Sequence, residues 1–318
     1  TPANRNPWYI LMTLHGEQQN AHRTDGAYFP NFDESLHARN RRDWNRWVAQ
    51  GLSEKQRTEL LAMRDAEGNF RFVDDELRPY NAVEMKYFFK NFHDVCVSRG
   101  KSLGLPPPPD KCILSRTHFT RPIGANGLLF PGYIDLTGAE FIEYADFSGS
   151  VFYNNAILSE TKFRDNVSFF DANFVNAIFA DDLFISGEAN FSYVKFFSSA
   201  AFVGARLQKH ASFSNALFLS HIYFFKALFS GGADFLNATF CGDANFSNTN
   251  FASMTSFSEA KFRTCPPNFH EATLHSDTDW VEARWPSLPV DPGEAKRHVR
   301  YYQRLKQLME GLKKHEDE

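Results

Sequence analysis

The sequence predicts a mainly β fold, a parallel β-solenoid of about seven coils, and three observations predict it. Phenylalanine is abnormally frequent, with 34 residues among 318. From Phe141 to Trp285, large apolar residues, most of them Phe, recur at spacings that alternate between six and five residues. Two places before most of them stands a small residue, usually Ala. Neither the period of a helix nor that of a plain strand keeps these residues on one face over so many steps.

A chain that turns a corner every five or six residues accounts for this spacing. One large and one small side chain per side then point to the axis, and stacked coils form internal ladders. Four sides use 22 residues per coil, so residues 130–286 form about seven coils. The alternation is broken between Phe174 and Phe191 and again between Phe262 and Phe269, and on this count Phe179 and Phe184 are core positions.

Within the repeat, several triplets share one pattern: Ala-Asp-Phe at 145–147 and 233–235, and Ala-Asn-Phe at 172–174, 189–191 and 244–246. In this pattern the chain resembles the pentapeptide-repeat family, whose motif is Ala, then Asp or Asn, then Leu or Phe, then two variable residues. The resemblance covers about half of the chain and implies a right-handed quadrilateral parallel β-helix. The chain departs from the motif by a sixth residue in every second unit and by its preference for Phe, as in a Phe-rich subgroup.

Residues 1–105 carry no repeat and are predicted to form a mixed α+β domain. Trp8 to Leu14 is strand-like. A helix that ends at Gly51 is indicated by an apolar stripe, and capping boxes open two further helices. The stripe comprises Leu36, Trp44, Trp47 and Val48, and the boxes are Ser53 with Gln56 and Asn81 with Glu84.

The repeat is predicted to be bounded by a proline-rich spacer at 106–129 and by a capping helix at 287–318. Pro106 to Pro109 form the stiff part of the spacer. Asp291, Pro292 and Glu294 supply an N-cap, a first-turn proline and a first-turn acid for the capping helix. An open solenoid end would expose strand edges and Phe rings, so a lid is expected there. The absence of Met at position 1 and the helical composition at Glu318 suggest a fragment of a longer protein.

Composition excludes a disordered chain and favours a globular one. Hydrophobic residues make up 43% of the chain, charged residues 23%, and the formal net charge is -4. No apolar run approaches the roughly 18 residues of a membrane span, and no signal peptide is recognisable. The four cysteines lack metal-type spacing. A cytoplasmic protein with reduced thiols is the prediction, with the soluble part of a membrane-associated protein as an alternative. The resemblance to the pentapeptide-repeat family implies a bacterial protein.

No residue pattern predicts an enzyme, so no catalytic, cofactor or metal residue is assigned. His270 and His275 each follow a core position and should point outward on different sides of a coil. The run Asp74-Asp75-Glu76 is interpreted as a solvated loop rather than a metal site. A phosphate-binding glycine loop and a nucleophile–histidine arrangement are missing from the sequence.

A basic, aromatic segment leaves two interpretations open. One interpretation is a nucleic-acid-binding segment that uses charge and base stacking. Its residues would be Arg39, Arg41, Arg42 and Arg46, interleaved with Trp44 and Trp47. The structural interpretation, which we favour, is an amphipathic helix whose Trp residues are buried and whose Arg residues are solvated. Direct binding of nucleic acid is therefore not predicted.

Charge on the repeat raises a second alternative, a DNA-mimic protein that binds a type II topoisomerase, which the family resemblance implies. Residues 133–285 hold 17 acidic and 9 basic residues, a net charge of about -8. Positions just before the core residues are acidic in some repeats and basic in others, which disfavours mimicry of a phosphate track. The acids are Glu140, Asp146, Asp234 and Asp279, and the bases are Lys162, Lys195, Arg206, Lys261 and Arg284.

Outward apolar residues predict a contact surface in the middle of the solenoid. Phe197, Leu219 and Cys241 lie 22 residues apart, as do Val203 and Phe225, so each set should stack on successive coils. Either another part of the chain, the N-terminal domain or the C-terminal helix, covers them, or a partner does, such as a second copy of this chain. The sequence thus predicts a non-enzymatic scaffold for protein–protein interaction with a partner of unknown identity.

Overall fold

The computed structural model describes residues 1–18, 33–108, 111–287 and 291–316 and shows a four-sided parallel β-solenoid with helices at both ends. Each side is a sheet of seven parallel strands, so the predicted fold class and the seven coils are confirmed. Strands pair with the strand 22 residues later, for example Val167 with Ala189. We number the sides 1 to 4 in the order in which the chain visits them.

The strands are two or three residues long. Side 1 comprises Lys111–Ile113, Tyr133–Asp135, Ala156–Ile157, Ile178–Phe179, Ala200–Ala201, Ile222–Tyr223 and Ala244–Asn245. Side 2 comprises His118–Phe119, Glu140–Phe141, Lys162–Phe163, Phe184–Ile185, Arg206–Leu207, Leu228–Phe229 and Asn250–Phe251. Side 3 comprises Ile123–Gly124, Ala145–Asp146, Val167–Ser168, Ala189–Asn190, Ala211–Ser212, Ala233–Asp234 and Thr255–Ser256. Side 4 comprises Leu129–Phe130, Val151–Phe152, Asn173–Phe174, Lys195–Phe196, Leu217–Phe218, Thr239–Phe240 and Lys261–Phe262.

Phenylalanine ladders fill the axis of the solenoid. Behind side 3, the ring of Phe147 stacks on Phe169 at a centroid distance of 5.1 Å, and Phe169 stacks on Phe191 at 5.1 Å. The ladder continues to Phe257 and ends on Trp280 at 4.4 Å. Because ring spacing matches strand spacing, one residue type satisfies both the backbone ladder and the core.

The alternation of five and six residues reflects two kinds of corner. Corners from side 1 to side 2 and from side 3 to side 4 lie within the five-residue steps, and each contains a residue with positive φ, such as Gly138 at 63° and Glu160 at 59°. A tight turn needs this left-handed conformation. Corners from side 4 to side 1 and from side 2 to side 3 lie within the six-residue steps, and none of their described residues has positive φ. We call these two kinds tight corners and broad corners.

Two of the predicted core positions were wrong. Ala180 and Ile185 are fully buried, whereas Phe179 points outward and is 39% exposed, and Phe184 is half-buried. With Ala180 and Ile185 in the core, the six–five alternation runs unbroken through this segment. The break near Phe262 is real, because the last coil contains an extra residue and Asn245 pairs with Asn268, 23 residues later.

The solenoid begins earlier than its Phe pattern does. The segment 106–129, predicted as a spacer, contains strands from Lys111 onward, and Lys111 pairs with Tyr133. Leu114, Phe119 and Ala125 are buried one coil before Leu136, Phe141 and Phe147. Their spacing of five and six follows the rule, but their mixed residue types hide the repeat.

The described part of the N-terminal region is helical. Its helices are α1 (Pro7–Met12), α2 (Glu34–Val48), α3 (Glu54–Leu61) and α4 (Ala82–Ser98), with short 3-10 turns at Ala3–Arg5, Ala49–Gly51 and Asp74–Leu77. The strand predicted at Trp8–Leu14 was wrong, because Asn6 caps the backbone N–H of Trp8 and Pro7 starts a helix. Both predicted capping boxes are present.

This helical region covers the first coil and part of side 4. The indole N–H of Trp44 donates to the carbonyl of Leu129 at 2.8 Å, and the Trp44 ring contacts Phe130. Further along the solenoid, Arg71 forms a buried ion pair with Asp171 at 2.6 Å. Helices therefore cover the first end of the solenoid, which would otherwise be exposed to solvent.

The other end is covered by helix α5 (Pro292–Glu316), as predicted. Asp291 accepts a hydrogen bond from the backbone N–H of Glu294 and so caps the helix. Leu305 is buried against the solenoid core, and the hydroxyl of Tyr302 donates to the carbonyl of Pro286 at 2.7 Å. Arg297 pairs with Asp243 at 3.6 Å, which holds the start of the helix near a broad corner.

Candidate functional site: two opposite faces of the solenoid

The predicted contact residues border side 1. Phe197, Leu219 and Cys241 stand at the broad corner that precedes this side, each directly after a core Phe of side 4. Val203 and Phe225 stand at the tight corner that follows it. Phe197 and Leu219 are 43% and 42% exposed, while the other three are half-buried.

The strands between these corners add apolar residues that the sequence analysis placed in the core or passed over. Phe179, Ala201 and Tyr223 occupy one outward column on side 1, paired in register along the sheet. Phe179 and Tyr223 are 39% and 36% exposed. The two predicted columns flank this third one on the same side of the solenoid, with Ser199, Ser220 and His221 between the broad-corner column and the strand column. We call the residues of the three columns the side-1 surface. It comprises Phe179, Phe197, Ala201, Val203, Leu219, Tyr223, Phe225 and Cys241.

Polar groups lie beside and between the columns of the side-1 surface. The ammonium of Lys226 lies 5.0 Å from the centre of the Phe225 ring. Ser199 and Ser220 contact each other through their hydroxyls at 3.4 Å at the broad corner. Protein-binding patches commonly combine apolar contacts with hydrogen-bonding groups.

The basic, aromatic segment belongs to α2, and its tryptophans are buried. Trp44 and Trp47 are 0% and 4% exposed, so neither ring is available to stack on a base. Arg46 is also buried and pairs with Glu84 at 2.8 Å. Arg41 pairs with Glu76 at 2.9 Å. These contacts assign the segment to the packing of the N-terminal region.

The histidines and acids weighed in the sequence lie apart from one another. Glu76 accepts hydrogen bonds from Arg41, while Asp75 faces Arg42 and Arg78 at the surface. His270 and His275 pair with their own neighbours, Glu271 and Asp277. Across the described ranges, His, Cys, Asp and Glu side chains do not gather into a group of three that could hold a metal ion.

The outward charges that seemed to form one interrupted row belong to different sides. Glu140, on side 2, pairs with Arg164 at 2.7 Å. The other three acids all belong to the outward column of side 3, whereas the bases occupy sides 2 and 4. The side-3 column reads Gly124, Asp146, Ser168, Asn190, Ser212, Asp234, Ser256 and Asp279 along successive coils.

Side 3 holds a groove of about 570 Å³ that the sequence analysis missed. Its floor is the outward column from Asp146 to Ser212. One wall consists of broad-corner residues, and the other of residues at the tight corner. The first wall comprises Tyr144, Asn166, Glu188 and His210, and the second comprises Ser148, Phe170 and Ser192.

Hydrogen bonds between side chains order the floor of the groove. The hydroxyls of Ser148 and Ser168 lie 2.7 Å apart, as do those of Ser192 and Ser212. Oδ1 of Asp146 accepts from the backbone N–H of Ser148 at 2.9 Å. Burial raises the pKa of the Asp146 carboxyl above its ordinary value. Burial together with the Asp146 carboxylate raises the pKa of Tyr144 as well.

Residues within each column of the groove lie 22 residues, or one coil, apart in sequence. This spacing is the signal by which the sequence could have predicted the groove. Tyr144, Asn166, Glu188 and His210 follow one another at 22-residue steps. The signal is weak because these positions vary in residue type from coil to coil, whereas the core positions repeat Phe and Ala.

None of the helices in the described part of the chain combines the length and the hydropathy that a membrane span requires. Comparison of the chain with protein-family models, with curated proteins and with solved structures gives no match.

Proposed function

We propose that this protein is a non-enzymatic scaffold of the pentapeptide-repeat type that binds a partner protein through the side-1 surface. The observation that carries the proposal is the continuity of three apolar columns across several coils. Stacked aromatic and aliphatic side chains that remain partly exposed gain free energy when a partner removes them from water, by about 25 cal/mol per Å² of apolar area. The parallel ladders hold these residues in fixed positions, so little ordering is needed upon binding.

Membership of the pentapeptide-repeat family is supported by the Ala-x-Phe triplets and by the four-sided solenoid of 22 residues per coil. The variable positions of such a repeat can change without loss of the core, which suits a surface adapted to one partner. The fold alone does not specify a function, so the proposal depends on the surface.

The topoisomerase-binding DNA mimic is the weaker candidate. On side 3, Asp146 and Asp234 are four coils apart, about 19 Å at the spacing of parallel strands. Double-stranded DNA carries about one charge per 1.7 Å of its axis. A column with acids this sparse resembles a phosphate backbone poorly.

The test replaces two residues of the side-1 surface and follows binding. The double variant Phe197→Asp with Phe225→Asp places two charges in the patch while leaving every core ladder intact. Met254→Asp is the matched control, because Met254 is 63% exposed at a broad corner on the other side of the molecule. Circular dichroism and thermal unfolding should be unchanged in both variants.

Partner capture from nuclease-treated lysate and light scattering after size exclusion measure hetero- and self-association. We expect the amount of captured partner, or the amount of dimer, to fall at least tenfold in the double variant. Both amounts should be unchanged in Met254→Asp. Equal capture and equal mass for all three proteins would refute the proposal. Recovery of topoisomerase subunits independent of the double variant would support the mimic instead.

A further inference from the structure

The groove on side 3 has the composition of a site for an organic cation. Its lining holds two carboxylates, Asp146 and Glu188, and two large aromatic rings, Tyr144 and Phe170. No Lys or Arg side chain belongs to this lining among the residues that the structure describes. At about 570 Å³, the groove falls within the usual range of small-ligand sites, about 300–1,000 Å³.

Asp146 is the centre of this arrangement. None of the ion pairs in the described ranges involves it, in contrast to Glu140 on the neighbouring side, which pairs with Arg164. Its Oδ1 is engaged by the backbone N–H of Ser148, and its carboxyl is partly withdrawn from water. A desolvated carboxylate without a basic neighbour gains the most from a cation brought by a ligand.

Aromatic rings near a carboxylate favour a cation with an apolar stem. Tyr144 immediately precedes the strand of Asp146 and stands on the wall above it, and Phe170 stands on the opposite wall. Phe170 is 39% exposed and is held by an edge contact with Tyr193 at a centroid distance of 5.5 Å. Ring faces attract ammonium groups, and methylene stems pack against the ring surfaces.

The hydrogen bond that Asp146 already accepts distinguishes between kinds of cation. A guanidinium binds a carboxylate best through both oxygens at once, and at Asp146 it would share Oδ1 with the backbone N–H of Ser148. An ammonium is a compact donor that is satisfied by one oxygen together with neutral acceptors. The hydroxyl of Ser168, paired with Asp146 on the adjacent strand of the floor, supplies such an acceptor.

We propose that the groove on side 3 binds an alkylammonium group, with the ammonium on Asp146 and its methylene stem between Tyr144 and Phe170. This chemistry is shared by the lysine side chain of an extended peptide and by small amines. The site is independent of the side-1 surface, because sides 1 and 3 are opposite walls of each coil.

The experiment is calorimetric titration of the full chain at low ionic strength with two probes. One is spermidine, and the other is an acetylated, amidated peptide with alternating Ala and Lys. The same peptide with norleucine in place of lysine keeps the stem and removes the charge. We expect the lysine peptide or spermidine to bind, and the norleucine peptide to bind at least tenfold more weakly.

Two variants locate the site. Asp146→Asn keeps the acceptor for Ser148 and should weaken binding at least tenfold. Asp234→Asn is the matched control in the same column, because Asp234 also accepts from the backbone two residues on, at Leu236, but lies outside the groove. It should leave binding unchanged. Tyr144→Leu should weaken binding severalfold and serves if Asp146→Asn fails to fold.

Tighter binding of the peptide than of spermidine would identify a lysine of a partner protein as the ligand, and the reverse order a small amine. Absence of binding by both probes would overturn the proposal. Equal affinity of Asp146→Asn and the unmodified chain would overturn it as well, as would equal affinity of the norleucine peptide.

Discussion

At the scale of single residues, His37 links the N-terminal helices to the solenoid through a neutral imidazole. The side chain is 7% exposed in α2. Burial, together with the Arg41 guanidinium, lowers the pKa of His37 from 6.5 to about 4. Its environment near the backbone of Gly124 and Asn126 places it against the first coil.

This shift predicts a pH dependence of stability. The native state favours the neutral form of His37, whereas the unfolded chain takes up a proton near pH 6.5. The free energy of unfolding is therefore unaffected by His37 above pH 6.5 and decreases as pH falls from 6.5 towards 4. The full effect is about 3 kcal/mol, from about 1.4 kcal/mol per pKa unit. Urea unfolding at pH 7, 5.5 and 4.5 should show this loss in the native chain.

The matched comparison is His37→Gln against His93→Gln, since His93 is exposed on α4. Stability of His37→Gln should fall less between pH 7 and 4.5, whereas His93→Gln should follow the native chain. Identical pH profiles for all three proteins would show that His37 does not carry the effect.

At the scale of elements, the two kinds of corner explain the alternating spacing. In the column that contains Glu160, the equivalent corners of other coils hold Gly138 and Gly204, and all three have positive φ. A left-handed conformation costs a non-glycine residue about 1–2 kcal/mol. Glycine avoids this cost but gives the unfolded chain more freedom.

Glu160→Gly is therefore expected to stabilise the fold by up to about 1 kcal/mol and to raise Tm slightly. Glu143→Gly, at a broad corner without positive φ, should leave Tm unchanged or lower it. Differential scanning calorimetry distinguishes the two, and a lower Tm for Glu160→Gly than for Glu143→Gly would contradict the strain argument.

Glycine has a different role at the broad corner before the groove. A Cβ on Gly187 would lie 2.3 Å from the backbone nitrogen of Asn166 in the preceding coil. Close backbone approach, rather than left-handed φ, requires glycine there.

At the scale of the whole molecule, the helices at both ends close a solenoid that would otherwise expose strand edges. Helix α5 does so through Leu305, which is 4% exposed, and through Tyr302 against Trp285. The hydrogen bond from Tyr302 to Pro286 fixes the helix over the last coil.

Leu305→Asp should detach this lid, because it removes a buried leucine and places a charge in its site, at a cost of about 3 kcal/mol or more. We expect higher-mass species in light scattering, with the β-sheet signal in circular dichroism retained. Gln307→Asp, exposed on the same helix, should remain like the native chain. A monodisperse Leu305→Asp protein of native mass would show that the lid is not needed against edge-to-edge association.

Sequence periodicity predicted the solenoid, its four sides and the terminal helix, because each depends on local spacing repeated many times. Predictions failed where one segment offered two assignments. Phe179 and Ala180 compete for one core position, and only the register of neighbouring coils decides that Ala180 is buried. Trp8 to Leu14 reads as a strand until Asn6 and Pro7 are recognised as a helix start.

The sequence by itself determined which residues must lie inside. Each side of a coil contributes one large and one small residue to the core, and this pattern returns after the 22 residues of one coil. The 22-residue spacing also predicted which outer residues stack in one column, but only the tertiary structure decided which columns lie side by side. Stacking places Phe197, Tyr223 and Phe225 on one patch, and Tyr144, Asp146 and Phe170 around one groove. The physical reason is that core positions are constrained by packing at every step, whereas outer residues acquire neighbours only when coils 22 residues apart come into register.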